Sequence, residues 1–310
     1  MTKNLTATKD SSEKEYRFLP EISAHSMRYL LSFVLFLILP PEAFHKVCRQ
    51  KNEPLSQFFH WEPGKKIIMA HRTTPLPGYS ENTLAAMKHA YRIAPCATQE
   101  IDVRMSKDSV LVLLHDATLE RTTTGTGKLS DFTYQELRKL ELRDETGKVL
   151  LGQRIPRLEE LLTFARGKVV LFLDKKPETD PIRMMTAVKK ARMLGDVIVI
   201  CYSIAEAQFL HQRYPSLMLA LGFNDTKAIE TIEKSGLPYK NLVALTPGHL
   251  QPQAFYDRIH AMGIMTSVGT NGNVDTLPFT QARPLYEQVL QRGDIICTDS
   301  LQRVQTLFQP

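Results

Sequence analysis

The chain has little that would staple it, repeat it or carry it across a bilayer. It holds four cysteines and a single tryptophan among 310 residues. Cys48, Cys96, Cys201 and Cys297 form no C-x-x-C pair, and three sit in or beside apolar segments. Buried, inert thiols are therefore expected rather than a disulfide or a catalytic nucleophile. No block of five or more like charges occurs, and the formal net charge of +6 is dispersed. A nucleic-acid binder usually gathers its surplus on one stripe, so no nucleic-acid partner is expected. The mild basic bias is compatible with an anionic substrate or an anionic membrane surface. No low-complexity tract is present, and 43% hydrophobic content can bury a large core.

No apolar run reaches spanning length either. The run Tyr29–Leu39 is broken only by Ser32 and flanked by Arg28 and Pro40-Pro41. Eleven residues at about 1.5 Å each fall short of the ~30 Å bilayer core. That length suits the apolar region of a secretory signal, with initiation at Met27 giving a leader of ordinary form. An N-terminal helix packed on the domain is the competing expectation. Residues 1–64 thus read as a polar segment, a signal-like or anchor run over 27–41 and a linker, ahead of a catalytic domain over 65–310. Export to the periplasm or exterior is expected, with membrane association through the apolar run as a variant of it.

From Lys65 onward, strand and helix patterns alternate. Strands are expected at 66–71, 97–103, 110–115, 168–174, 197–201, 217–221, 242–245, 263–268 and 294–298. Helical patterns lie between most of them, from 83–93 through to 300–308. Thr133-x-x-Glu136 makes a capping box, and Pro156 opens a helix that Gly167 can close. Nine strands exceed a closed barrel by one. The six residues between Val103 and Val110 cannot hold a parallel crossover, so 110–115 should fold back antiparallel on 97–103. The expectation is an α/β fold: a (β/α)₈ TIM barrel with an antiparallel hairpin strand after its second strand, and its site at the C-terminal strand ends.

Four strand ends carry chemistry: His71-Arg72, Glu100-x-Asp102, His115-Asp116 and Asp174-Lys175-Lys176-Pro177. Packing gives strands no reason to finish this way four times. Glu100 and Asp102 are two apart, so they share a face. Two inward carboxylates, with Asp174 as a third, call for a cation, and an oxygen-only set suits Ca²⁺ or Mg²⁺ better than zinc. His71 and His115 can act as general acid and base near neutral pH. Arg72 can hold two phosphate oxygens and Lys176 adds a second positive charge, unless either is simply an ion-pair partner of nearby carboxylates.

These pieces, with Ser80-Glu81-Asn82-Thr83, Ser106-Lys107-Asp108, His115-Asp116-x-x-Leu119-x-Arg121-Thr122-Thr123, Gly125-Thr126-Gly127, Ile155-Pro156-Arg157-Leu158-Glu159-Glu160 and Asp294–Asp299, resemble the glycerophosphodiester phosphodiesterase family over about 66–308. The resemblance implies hydrolysis of a small glycerophosphodiester to glycerol 3-phosphate and an alcohol with one divalent cation. His71 and His115 would be the catalytic pair, Glu100, Asp102 and Asp174 the metal ligands, and Arg72 and Lys176 the phosphate contacts. The nucleophile would be water or the glycerol 2-hydroxyl. The alternatives are a phospholipase C-like or sphingomyelinase D-like relative with another head group or a cyclic product, and a non-catalytic phosphodiester-binding barrel.

The chain also departs from the family pattern. Thr73 stands in place of a glycine, Asp174 in place of a longer Glu, and Lys175 in a normally apolar slot where alternation should point it outward. The family's Trp-Thr pair is replaced within Ile264–Asn271, leaving a small or polar wall.

Overall fold

The computed structural model describes residues 45–308. The apolar run 29–39 lies outside the described residues. In chain order the described elements begin β1 (His45–Lys46), α1 (Leu55–Phe58), β2 (Lys65–Ala70), α2 (Leu84–Ile93), β3 (Thr98–Met105) and β4 (Leu111–Leu113). There follow α3 (Tyr134–Leu137), β5 (Leu142–Arg143), β6 (Val149–Leu150), α4 (Leu158–Ala165), β7 (Leu171–Lys175) and α5 (Pro181–Lys190). Next come β8 (Val197–Cys201), α6 (Ile204–Arg213), β9 (Met218–Gly222), α7 (Thr226–Glu233), β10 (Leu242–Thr246) and α8 (Gln253–His260). The chain finishes with β11 (Met265–Gly269), α9 (Phe279–Arg292), β12 (Ile295–Thr298) and α10 (Leu301–Thr306).

Eight parallel strands close in the order β2, β3, β7, β8, β9, β10, β11, β12, and β12 returns to pair with β2. This is a TIM barrel. Strand alternation divides each strand's residues between two cores. Ile101, Val103, Leu171, Leu173, Val197 and Val199 face the helices, while Ile67, Met69, Phe172, Ile198, Met218 and Val243 fill the interior. As the short connection requires, β4 pairs antiparallel with β3, Val103 opposite Leu113. Thr133 and Glu136 form the expected capping box.

Two sequence expectations need correction. Residues 45–64, read as linker, are part of the barrel. β1 pairs parallel with β2, and Leu55, Phe58 and Phe59 join the interior cluster. Phe59 packs edge-on against Phe172 at 5.8 Å, and Trp61 donates its backbone N–H to Gly263 ahead of β11. This segment floors the N-terminal end of the barrel. Its polarity and short helix concealed that role. The second correction concerns cysteine: Cys48 and Cys96 form a disulfide, with Cα atoms 4.8 Å apart. Forty-eight residues separate them, and only closure of the barrel brings the pre-β2 segment beside the end of α2. Cys201 and Cys297 are buried free thiols, as expected.

A crosslink closing a loop of this length restricts the unfolded chain by roughly 2–4 kcal/mol. The Cys48→Ser/Cys96→Ser protein should lose about that much stability in a denaturant titration. An unchanged midpoint would show that β1 and α1 hold the floor without it.

Candidate active site

Glu100 and Asp102 project from β3 into the mouth, and Asp102 lies in register with Asp174 on β7. Oxygens from all three carboxylates fall within 4.8 Å of one another. Glu100 is 4% exposed and Asp102 1%, so their mutual repulsion is little screened by water. Burial, then the neighbouring Asp102 and Asp174, pushes the Glu100 carboxyl well above its usual range. Asp102 behaves oppositely. Burial opposes its charge, yet the Lys176 ammonium and the Asn82 amide hold it below the ordinary value. Lys176 Nζ lies 2.6 Å from both Asp102 and Asp174. Three carboxylates crowd around the Lys176 ammonium, and their oxygens make up an all-oxygen donor set. The cluster can hold a divalent metal ion.

Arg72 approaches from the turn after β2. Its backbone N–H donates to Glu100 at 2.8 Å. Its guanidinium Nε is buried without a hydrogen-bond partner, 3.8 Å from Asp102. An unpaired buried guanidinium donor costs free energy until an acceptor arrives. Asn82 braces Asp102 twice over: its side-chain amide N–H donates to the carboxylate at 2.6 Å, and its side-chain carbonyl accepts the Asp102 backbone N–H at 2.9 Å.

The two imidazoles are held alike. His71 Nδ1 is 2.7 Å from Asp299, and His115 Nδ1 is 2.7 Å from Asp116. A carboxylate accepting from Nδ1–H selects the tautomer whose Nε2 carries the free lone pair. Asp299 is fixed in turn through its backbone N–H, which donates to Asp275 at 2.7 Å. Asp116 is gripped by Arg121 at 2.6 Å, and Arg121 also reaches Glu81. The His115 carbonyl accepts two guanidinium hydrogen bonds from Arg104. The hairpin thus returns its histidine to the mouth. His71, Glu100, Asp102, His115 and Asp174 line one cavity of about 200 Å³.

The model of the glycerophosphoryl diester phosphodiesterase family matches residues 70–274. The chain belongs to that family. A solved glycerophosphoryl diester phosphodiesterase of Parabacteroides distasonis superposes with a TM-score of 0.77 and 32% identity, over 82% of this chain and 90% of that one. YhdW of Bacillus subtilis is 33% identical over half of this chain and 64% of its own length. The glycerophosphodiester phosphodiesterase of Caldanaerobacter subterraneus is 40% identical over 34% of this chain and 42% of its own. The chain therefore spans about half the length of these curated relatives.

As a member of this family, the chain carries visible departures. Thr73 is fully buried and keeps a left-handed backbone, φ 62°. Lys175 points outward as alternation requires and pairs with Glu206 at 3.1 Å. Where the family's indole is missing, the cavity wall is Ser267, Gly269 and Asn271. The only tryptophan, Trp61, stacks on His260 in the floor. Asp294 belongs to that floor as well, accepting from Thr266 and lying 2.9 Å from His260.

Sequence reasoning quoted Asn82, Asp116, Arg121 and Asp299 inside motifs without assigning them work. It missed Asp275 and Tyr202, whose hydroxyl donates to Asp174 at 2.6 Å. Nothing local signals either contact, because each partner lies on a distant strand end.

Burial raises the Asp116 carboxyl, but hydrogen bonds from Arg121 and His115 outweigh it and bring the group from 3.8 to about 2. A lowered carboxylate stabilises the fold above its unfolded value and loses that contribution as pH falls through the folded one. Asp116→Asn should flatten the loss of stability between these two values, followed by thermal melts across that window. An identical acid profile would mean that the clamp contributes nothing.

Proposed function

We propose that the chain hydrolyses glycerophosphodiesters to glycerol 3-phosphate and an alcohol, with His71 and His115 as the acid–base pair. The observation that carries this reading is the pair of carboxylate-oriented imidazoles on the same small cavity as a buried acidic cluster. Family membership supports the reaction class. The resident ion is Ca²⁺ or Mg²⁺, held by Glu100, Asp102 and Asp174, and when bound it would polarise a phosphoryl oxygen.

The side chains would do the rest. The unpaired Nε of Arg72 offers a donor to a phosphate oxygen. An ammonium has three protons, and two carboxylate contacts leave Lys176 one for the same phosphate. One imidazole removes the proton of the nucleophile, water or the glycerol 2-hydroxyl, through Nε2, and the other protonates the departing alkoxide. A cyclic phosphate formed by the 2-hydroxyl is then opened by water to glycerol 3-phosphate. Asp299 and Asp116 stabilise whichever ring carries two protons.

We extend the proposal to location. Structural disulfides persist in oxidising compartments, so the Cys48–Cys96 bond favours export. Membrane association through 27–41 belongs to the same expectation; among the described residues no helix is long and apolar enough to cross a membrane.

Turnover of glycerophosphocholine or glycerophosphoethanolamine by the whole chain should need Ca²⁺ or Mg²⁺ and stop with chelator. His71→Ala and His115→Ala should each lose about 10²–10⁴-fold in kcat, the usual scale of acid–base catalysis. Chelator-resistant turnover, or full activity in either variant, would overturn the mechanism. A second test needs no substrate. Since Glu100 holds its proton well above the usual carboxylate range, a cation must displace it, and affinity should fall as pH is lowered. A thermal upshift with Mg²⁺ or Ca²⁺ that did not vary with pH would remove Glu100 from the ligand set.

A further inference from the structure

The two departures at 174 and 175 meet in one residue that no motif contains. Tyr202 follows β8 and is 65% exposed, yet both its hydrogen-bond donors are engaged. Its hydroxyl donates to Asp174 Oδ1 at 2.6 Å. Its backbone N–H donates to Glu206 Oε2 at 3.2 Å. The other oxygen of Glu206 pairs with Lys175 Nζ at 3.1 Å. The contacts close a ring: Asp174, Tyr202, Glu206, Lys175, and back along β7 to Asp174.

Each member has a physical reason to be there. Asp174 is one methylene shorter than a glutamate, so it reaches less far and has fewer torsions with which to find a ligand geometry. Tyr202 on Oδ1 and Lys176 on Oδ2 fix both of its oxygens. An exposed tyrosine ring would otherwise change rotamer freely. Its backbone is instead anchored at the start of α6, where Ser203 accepts from the Glu206 N–H and Glu206 reaches back to Tyr202. The Glu206 carboxylate is partly buried, and Lys175, 7% exposed, supplies its counter-charge from behind the strand. A lysine in an apolar slot is expensive without such a partner.

We propose that Tyr202 is a positioning residue for the cation-ligating carboxylate Asp174, and that the Lys175–Glu206 pair holds Tyr202 in place. The shortened ligand, the lysine beside it and the tyrosine are one device. It rests on the cation reading given above. The hydroxyl presents Asp174 towards Glu100 and Asp102 before any cation arrives, so its loss should weaken binding without dismantling the barrel.

Tyr202→Phe removes only the hydroxyl from an exposed ring, so the fold should survive. Mg²⁺ and Ca²⁺ titrations of the full chain, by calorimetry without substrate, should show affinity lower by about ten- to a hundredfold, the usual effect of losing an outer-shell partner. Activity should return as cation concentration is raised. Asp174→Glu in the Tyr202→Phe background should recover affinity, because the longer carboxylate no longer needs the anchor. Lys175→Met/Glu206→Gln removes the pair without stranding a charge. It should weaken cation binding in the parent and add little in Tyr202→Phe.

A merely structural tyrosine would lower the melting temperature of the cation-free protein and leave affinity within about twofold, which overturns the proposal. Full additivity of the Lys175/Glu206 change with Tyr202→Phe overturns the link between them. If the parent chain binds neither cation, the ligand assignment itself falls and this proposal with it. If the parent binds and Tyr202→Phe binds equally, only the role of Tyr202 falls.

Discussion

Three carboxylates gathered in a buried mouth would repel one another and take up protons if the Lys176 ammonium did not stand between two of them. It lies 2.6 Å from Asp102 and from Asp174. Much of the surrounding architecture answers the same electrostatic demand. Asn82 supplies a neutral donor to the Asp102 oxygen turned from Lys176. The Arg72 backbone supplies another to Glu100. At Glu100 burial and the neighbouring Asp102 and Asp174 outweigh that compensation, so its proton is held well above the usual carboxylate range. A divalent cation would complete what one lysine leaves unfinished. The site is organised around crowded carboxylates, an oxygen donor set that a divalent cation could join.

The opposite end of the barrel solves a buried-charge problem without leaving a deficit. Asp294 accepts from the Thr266 backbone and hydroxyl, lies 2.9 Å from His260, and has Lys66 at 3.5 Å. Its oxygens are satisfied, and Phe58 and Phe59 lie in the same floor. Asp299, five residues later and beyond the end of β12, faces the mouth and orients His71. One short segment therefore carries an aspartate buried in the floor at its start and one facing the mouth at its end. Strand direction decides which is which.

Much of this was legible in the sequence because two rules act locally. A period of two put Glu100 and Asp102 on one face and Lys175 on the other, and all three are found there. A short connection forbids a crossover, which fixed the hairpin and returned His115 to the mouth. Contacts made only by closing the barrel were illegible. His71 meets Asp299 across 228 residues, and Cys48 meets Cys96 across a floor that looked like linker. No periodicity encodes which distant strand ends become neighbours. Tyr202 was hidden for the same reason, and also because an exposed aromatic carries no signal by itself.

The turn after β2 shows how local strain can be upheld by the site it creates. Arg72, Thr73 and Thr74 have φ of 48°, 62° and 67°, a left-handed run that threonine adopts at a cost of about 1–3 kcal/mol per residue. In an extended strand His71 and Arg72 would face opposite sides. The left-handed run allows neighbouring residues to serve one mouth: His71 lines the cavity, while the Arg72 backbone reaches Glu100 and its guanidinium lies beside Asp102. Three backbone N–H groups help to hold it: Thr74 N–H donates to the His71 carbonyl, Asn82 N–H to the Arg72 carbonyl, and Arg72 N–H to Glu100. The last of these ties backbone geometry to the acidic cluster. The turn that carries His71 is therefore held in part by a carboxylate of the cluster that shares its cavity, so strained backbone and acidic side chains keep one geometry.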